Sequence, residues 1–501
     1  MLRTGKEHLE SIRDGRVVYI GSERVDDVTR HPAFRNAAQT VAALYDMKAD
    51  PALRDEMSYE EDGGRHSIYF LRARSREDLQ RRMIGHRRIA DFTYGMFGRS
   101  PDHVSSFVTG MAMKVDELKP PFGHPDNLLS YYRHIRDNDI YTVYAVVPPQ
   151  AARNPEFYHR QNLPVPTLRV VREDDDGVVI SGMKMLATGA LFANEIWIGN
   201  VIPLAPDQRK EAITCAIPCN ATGLQLWSRQ PFEDNCLSEF DSPLAFRYDE
   251  SDSMLLCDEV KVPWERVFVH DDALLSRDVY VKTPSHCFGN HQSNVRYWSK
   301  MRLLVGLASK VANATGADQV PAVKETLGHL SAQEAMIAGM VNGQINAYET
   351  WPGGSQGYVC FNRRMMYGAL DWCTQNYSKF VDELRELCGG AVFQMPANIS
   401  VMNDPDLARS FASYWQTPQA DALGRMKLFK LAWDMVGSEF AGRHQQYEKF
   451  YAGASFIIRN HSYRETDWAA FNKIVEDLMA ATTTLNRLRQ RRPKTPKGRI
   501  R

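Results

Sequence analysis

The stretch Thr93-Tyr94-Gly95-Met96-Phe97-Gly98-Arg99-Ser100-Pro101-Asp102-His103 decides how this 501-residue chain is read. Its two glycines permit backbone conformations closed to other residues. Ser100-Pro101 is a helix entrance, with a hydroxyl that can cap and a ring whose φ is already helical. Arg99 stands at the mouth of that helix. His103 follows four residues later, so a helical backbone puts both side chains on one face. Alone, such an arginine reads as a surface salt bridge. Further along, Tyr144 precedes the turn Pro148-Pro149-Gln150, which by itself reads as an ordinary domain junction.

Outward from this stretch the chain changes character twice. Residues 1–147 read as mainly helical: an amphipathic start at 5–13, a short hairpin over 16–25 around Gly21, and helical spacing over 33–49 and 75–98. Between 148 and 283 come short β-rich runs at 168–171, 177–180, 195–198, 212–217 and 254–257, separated by turns such as Asp174-Asp175-Asp176-Gly177. They predict a small antiparallel barrel or sandwich, which the chain leaves through Val262-Pro263-Trp264 and 267–269. From 284 to 486 long helical patterns at 294–315, 322–348, 358–388 and 407–451 suffice for a four-helix bundle. The fold class is therefore α+β. The last fifteen residues, 487–501, hold eight basic side chains and no acid, the composition of a solvated tail.

Composition excludes several functions. Lys+Arg and Asp+Glu both total 61, so no global charge points to nucleic acid or an anionic membrane surface. There is no apolar run of 18 residues and no signal-peptide pattern at the N-terminus, which predicts a cytoplasmic chain without membrane contact. Eight cysteines in this length read as reduced thiols; Cys215 and Cys219 lack further ligands at metal spacing, and no metal is expected. Neither a Walker loop nor Gly-x-Gly-x-x-Gly is present, so the chain is not expected to hold NADH itself.

Taken in order, 93–103, 144–150, Ala187-Thr188-Gly189, Gly389-Gly390 and 438–443 resemble the oxygenase components of the 4-hydroxyphenylacetate 3-monooxygenase family. The resemblance runs from about 4 to about 453. It implies the acyl-CoA dehydrogenase-like fold: a helical N-terminal domain, a central β domain and a C-terminal bundle. It also implies a two-component aromatic monooxygenase that hydroxylates a phenolic substrate with O2 through a C4a-hydroperoxyflavin. FAD would arrive as FADH2 from a separate NAD(P)H-flavin reductase, and the chain would be a homo-oligomer, a tetramer or at least a dimer.

Residue by residue, the resemblance places Arg99 against flavin and phenol, Pro149 and Gln150 at the flavin border, and Thr188 on the isoalloxazine. Gly389 and Gly390 would lie near the phosphates or adenine, although a glycine C-cap needs no ligand. Ser438 would be flavin-proximal, and Arg296 matches an arginine at the start of the first bundle helix. The chain departs from the family twice. A histidine, His103, stands where the family has tyrosine, and Tyr144 stands where it has histidine. An imidazole titrates near neutrality and a phenol does not, so His103 is expected as the general base, with Tyr144 donating opposite and 4-hydroxyphenylacetate itself a poor substrate. His286, Cys287 and His291 invite an iron–sulphur reading of the dehydratase type, but thiolates are missing at the other positions it needs. An acyl-CoA dehydrogenase-like flavoenzyme, which needs a carboxylate base, and a non-catalytic scaffold remain the alternatives.

Overall fold

A computed structural model of the chain describes residues 2–351 and 357–481; the basic segment 487–501 lies outside the described residues. The N-terminal region contributes helices α1 (Gly5–Ser11), α2 (Arg35–Ala49), α3 (Arg76–Phe92), α4 (Asp102–Ala112) and α5 (Pro125–Asp137). It also carries two hairpins, β1 (Val18–Ile20) with β2 (Glu23–Val25), and β3 (Ser58–Glu61) with β4 (Gly64–Ser67). α3 stops at Phe92, short of the 98 that periodicity suggested. Tyr94 and Gly95 turn the chain with φ of +52° and +69°. A Cβ on Gly95 would stand 2.6 Å from the Arg296 carbonyl oxygen, so only glycine lets the turn pack there. This turn aims Gly98-Arg99 inward and starts α4, which is buried along its whole length.

The β region is built from β5 (Thr142–Ala145), β6 (Arg169–Asp174), β7 (Gly177–Thr188), β8 (Glu195–Ile198), β9 (Ile213–Pro218), β10 (Leu224–Ser228), β11 (Asp252–Pro263) and β12 (Val267–His270). They form a six-stranded sheet, β2-β1-β10-β11-β7-β6, and a four-stranded sheet, β12-β9-β8-β5. The expected boundary at 147 does not hold for the sheets. β1 and β2 join the first and β5 joins the second, and the pairs β1·β10 and β5·β8 are parallel, so the sandwich is not purely antiparallel. Nor does the chain leave at 267–269: β12 pairs with β9. A four-residue strand such as β5 carries too few alternations to be read as one. Its parallel pairing, Tyr144 opposite Trp197, is what holds Tyr144 in place.

The C-terminal region is helical: α6 (Ser285–Ala314), α7 (Pro321–Asn346), α8 (Arg363–Cys388), α9 (Pro405–Trp415), α10 (Ala422–Val436), α11 (Glu439–Phe450), α12 (Ser455–Arg464) and α13 (Trp468–Ala481). The single helix expected over 407–451 is thus three. One break falls at Gly437, where a Cβ would stand 2.3 Å from the Trp433 ring, and Ser438 caps the helix that follows. α6 packs against α7 and α8 of the bundle and equally against α3 and α4. Its buried run from Cys287 to Met301 therefore lies between the two helical regions, beside Arg99. Among the described residues no helix is long and apolar enough to cross a membrane.

Candidate active site

Arg99 is buried at 7% exposure. Its backbone N–H donates to the Glu250 carboxylate, and Tyr141 Oη donates to its carbonyl at 2.5 Å. Its guanidinium contacts His103 Nε2 at 2.8 Å through Nη1 and donates to the Tyr451 carbonyl at 2.6 Å through Nη2. The rings of Tyr144 and Tyr447 lie 5.1 and 5.6 Å from its central carbon. No carboxylate accepts from this guanidinium among the described residues. A buried charge without a counter-charge is costly, and proteins seldom keep one idle.

His103 and Tyr144 join Arg99 as expected in place: the two rings are 5.3 Å apart, and Phe107 packs on both. The general-base role assigned to His103 does not fit the geometry. A guanidinium can only donate, so Nε2 must supply the lone pair and the proton sits on Nδ1. That Nδ1 is buried with no partner among the described residues. Burial, and then the Arg99 charge, hold His103 well below the usual histidine pKa, so it is a neutral donor here. Tyr144 is the one member of the trio that is only half-buried.

Thr188 ends β7 and donates to Asp252 at 2.6 Å. Asp252 also accepts from Arg443 at 2.8 Å and Arg229 at 2.9 Å. Burial would raise Asp252, but Arg443 overturns this and holds it well down. Arg443 reaches Glu250 as well, so Thr188 and Arg99 belong to one network of buried charges. Burial pushes the Glu250 carboxyl up. Pro149 is buried and Gln150 exposed, and a bridge between Val147 and Met185 ties their turn to β7.

Arg296 is held mainly by the chain itself, with Nε left unpaired. Both Nη atoms donate to Glu448, at 2.6 and 2.7 Å, and Nη1 also to the Gly95 carbonyl. Lys300 donates to the same carboxylate at 2.6 Å. Burial raises Glu448, but the two cations outweigh it and hold the carboxyl at about 2; burial drops Lys300 to about 8. Gly389 and Gly390 follow α8, and Ser438 stands between α10 and α11. Gly389 ends α8 with φ +50°, Gly390 follows it on the exposed surface, and Arg385 beside them donates to the Val436 carbonyl. Ser438 accepts from the Ala441 N–H and donates to Asp434, which accounts for its hydroxyl inside the chain.

Sequence reading missed Glu250, Asp252, Tyr447, Glu448 and Tyr451. A signal existed for the tyrosines: Arg443, Tyr447 and Tyr451 recur every four residues, one face of α11 and its end. It also missed Asp102, which accepts from Ser100 Oγ at 2.6 Å and contacts His86 Nδ1 at 2.7 Å, steadying the helix entrance. The fit to a flavin can be tested on unpaired polar atoms. His103 Nδ1, Arg296 Nε, Arg443 Nη1, Tyr447 Oη and Tyr451 Oη are buried without partners among the described residues. Buried polar groups are normally hydrogen-bonded, so this set suits a polar, planar ligand edged with donors and acceptors. Among the described residues, no group of three or more His, Cys, Asp or Glu could hold a metal ion.

Comparison with known proteins agrees over residues 4–269 and 276–480. Residues 4–269 match the 4-hydroxyphenylacetate 3-hydroxylase N-terminal family, and residues 276–480 match its C-terminal counterpart. The pyoverdin chromophore biosynthetic protein PvcC of Pseudomonas aeruginosa is 33% identical, over 91% of this chain and 90% of that protein. The oxygenase component of 4-hydroxyphenylacetate 3-monooxygenase of Thermus thermophilus is also 33% identical, over 90% and 92%. The crystal structure of such an oxygenase component with FAD and 4-hydroxyphenylacetate superposes with a TM-score of 0.89 at 29% identity, covering 95% of this chain and 98% of that one. This chain belongs to the 4-hydroxyphenylacetate 3-hydroxylase family and is a flavin-dependent aromatic monooxygenase of the oxygenase-component type.

Proposed function

We propose that this chain hydroxylates a phenol at a ring carbon next to its hydroxyl, using O2 and FADH2 delivered by a separate NAD(P)H-flavin reductase in the cytoplasm. The observation that carries this reading is the Arg99 guanidinium, buried between two tyrosine rings with no carboxylate bonded to it among the described residues. A planar, permanently charged donor in a water-poor site stabilises a phenolic oxygen as negative charge grows on it. Bound FADH2 would supply, with dioxygen, the oxygen atom that is transferred.

This chain's own side chains bind, orient and exclude water. Arg99 holds the phenol oxygen, the Nδ1–H of His103, on the far side of its ring from Arg99, is left for a second acceptor, and Tyr144 closes the half-open side. Thr188, Pro149 and Gln150 border the flavin ring, while Tyr447 and Tyr451 wall the site off from solvent. Gly389 and Gly390, exposed at the end of α8, and Ser438 would serve the far end of a flavin held by a neighbouring copy. That division of labour favours a homotetramer, or at least a homodimer, joined through the bundle. A dehydrogenase reading would need a carboxylate with a free oxygen. Glu250 is bonded to Arg99 and Arg443, and Asp252 to Thr188, Arg443 and Arg229.

The test mixes the pure chain and chemically reduced FAD with oxygenated buffer and a panel of phenols. Hydroxylated product by mass spectrometry is expected, and none when NADH replaces reduced flavin. Flavin reduced by a substrate under nitrogen would instead favour the dehydrogenase.

A further inference from the structure

We propose that Arg277, Arg464 and His461 form a phosphate-binding site one ring beyond the Arg99 trio, taking a phosphate on the side arm of the substrate or free phosphate. Holding a substrate arm rests on the function proposed above; binding phosphate does not.

The cluster lies outside the site described so far. Phe107, whose ring packs on His103 and Tyr144, also meets His286 and Tyr280, at 6.1 and 6.4 Å between ring centroids. Tyr280 and Arg277 stand three residues apart in the helix Leu275–Val281, so they share a face. His286, on α6, lies 5.0 Å from the ring of His461, on α12, and Tyr367 of α8 stacks on His461 at 4.7 Å. Tyr367 Oη is 2.6 Å from His286 Nδ1. His286, His461 and Arg277 are half-buried and Arg464 is exposed, so the cluster opens to solvent.

Two guanidiniums and an imidazole N–H gather here. Arg464 Nη2 is 2.8 Å from His461 Nδ1. A guanidinium only donates, so that nitrogen supplies the lone pair and the proton of the neutral ring sits on Nε2. Burial first, then His286, Arg464 and Arg277, hold His461 far below the usual histidine range, which keeps the ring neutral. Burial, Arg464 and Arg277 also lower His286 to about 4, so both arginine charges reach both imidazoles.

Neither guanidinium has an anion. Among the described residues no carboxylate pairs with Arg277 or Arg464, whereas Arg459 on the same α12 pairs with Asp371, and Arg363 with Glu349 and Glu465. Asp278, next to Arg277, is taken by Lys282. Residues 352–356 and 482–501 contain no Asp or Glu either. Like charges held close repel, and a bound anion relieves the repulsion. Two guanidinium forks and an N–H suit the three acceptor oxygens and charge of about −2 of a phosphate group better than a singly charged carboxylate.

The experiment titrates the FAD-loaded full chain with inorganic phosphate by calorimetry. It then assays hydroxylation of phenols whose para arms, equal in length, end in phosphate, carboxylate or hydroxyl. Phosphate should bind with FAD present, and Arg277→Gln and Arg464→Gln should each weaken it about tenfold, the loss of one hydrogen bond to a charged group. The phosphate-ended phenol should have the lowest KM, an advantage that shrinks about tenfold in either variant. Phosphate bound with no advantage over the hydroxyl-ended phenol assigns the site to the free ion. Binding that survives both substitutions belongs to the basic segment 487–501 and overturns the proposal. Binding seen only without FAD also overturns it, because the site is then the cofactor's own. Carboxylate- and phosphate-ended phenols that gain equally over the hydroxyl overturn it in favour of a carboxylate site. No bound phosphate overturns it and leaves the proposed function standing. If no phenol is hydroxylated the proposed function fails, while phosphate binding lost in the two variants still upholds the site.

Discussion

Arg99 and Arg296 are both buried guanidiniums, 7% and 1% exposed, and both face Tyr447. Arg296 grips Glu448 with both Nη atoms, and Lys300 shares that carboxylate. Arg99 has an imidazole nitrogen and a carbonyl, neither of them charged. The difference teaches how to tell a charge that holds the fold from one kept for a ligand. A bidentate pair inside a core compensates desolvation within the chain. A guanidinium left without an anion keeps an electrostatic demand that a bound phenolate can meet.

The sharpest way to break this comparison is to remove one carboxylate. Glu448→Gln leaves two buried cations without their anion and should cost about 3–5 kcal/mol of folding stability, read by urea denaturation. A loss near zero would mean that Arg296 does not depend on the pair. Arg99→Ala should instead lose about 3 kcal/mol of transition-state stabilisation, measured as kcat/KM for hydroxylation, with a smaller loss of stability. Arg99→Lys should recover little, because the planar fork is gone. Unchanged turnover in Arg99→Ala would make the two arginines equivalent and structural.

Acidity sharpens the same contrast. Burial holds His86, His103, His291 and His444 below the ordinary histidine range. Below about pH 6.5 the unfolded chain binds protons at these sites that the folded chain does not, so stability must fall as pH falls through that value. His103→Gln should flatten the slope by at most one proton, about 1.4 kcal/mol per pH unit, in unfolding midpoints taken between pH 7 and 5. Glu448 works in a lower window: its contribution is present above the unfolded value of about 4.3 and lost as pH falls toward its folded value of about 2. The smallest effect is expected at Ser438. Ser438→Ala should remove a helix cap worth about 1 kcal/mol and leave kcat for the bound phenol unchanged. Weaker FAD binding in that variant would place Ser438 in a neighbour's flavin site, and light scattering should then show an oligomer.

Much of the fold was legible locally. The hairpin at Gly21, the ends of α2 and the strand Glu195–Ile198 follow from turn chemistry and periodicity. The shared helix face of Arg99 and His103 follows from their spacing, while the meeting with Tyr144 was implied by the resemblance to the family. What failed did so for non-local reasons. α3 stops early because Gly95 packs on Arg296, and the 407–451 helix breaks where Gly437 meets Trp433. The sheets recruit β1, β2 and β5 from the N-terminal segment because their partners lie elsewhere in the chain.

By itself the sequence determined the helical, β and helical order of the chain and the family, since these depend on spacing and residue type. Tertiary structure alone decided what each side chain at the site can do. Arg99 donates into His103 Nε2 and leaves only its protonated nitrogen free, and Glu448 of another helix takes both Nη atoms of Arg296 and leaves its Nε. A side chain's residue type sets its chemistry, but which of its atoms is free is set by a neighbour that can be 152 residues away.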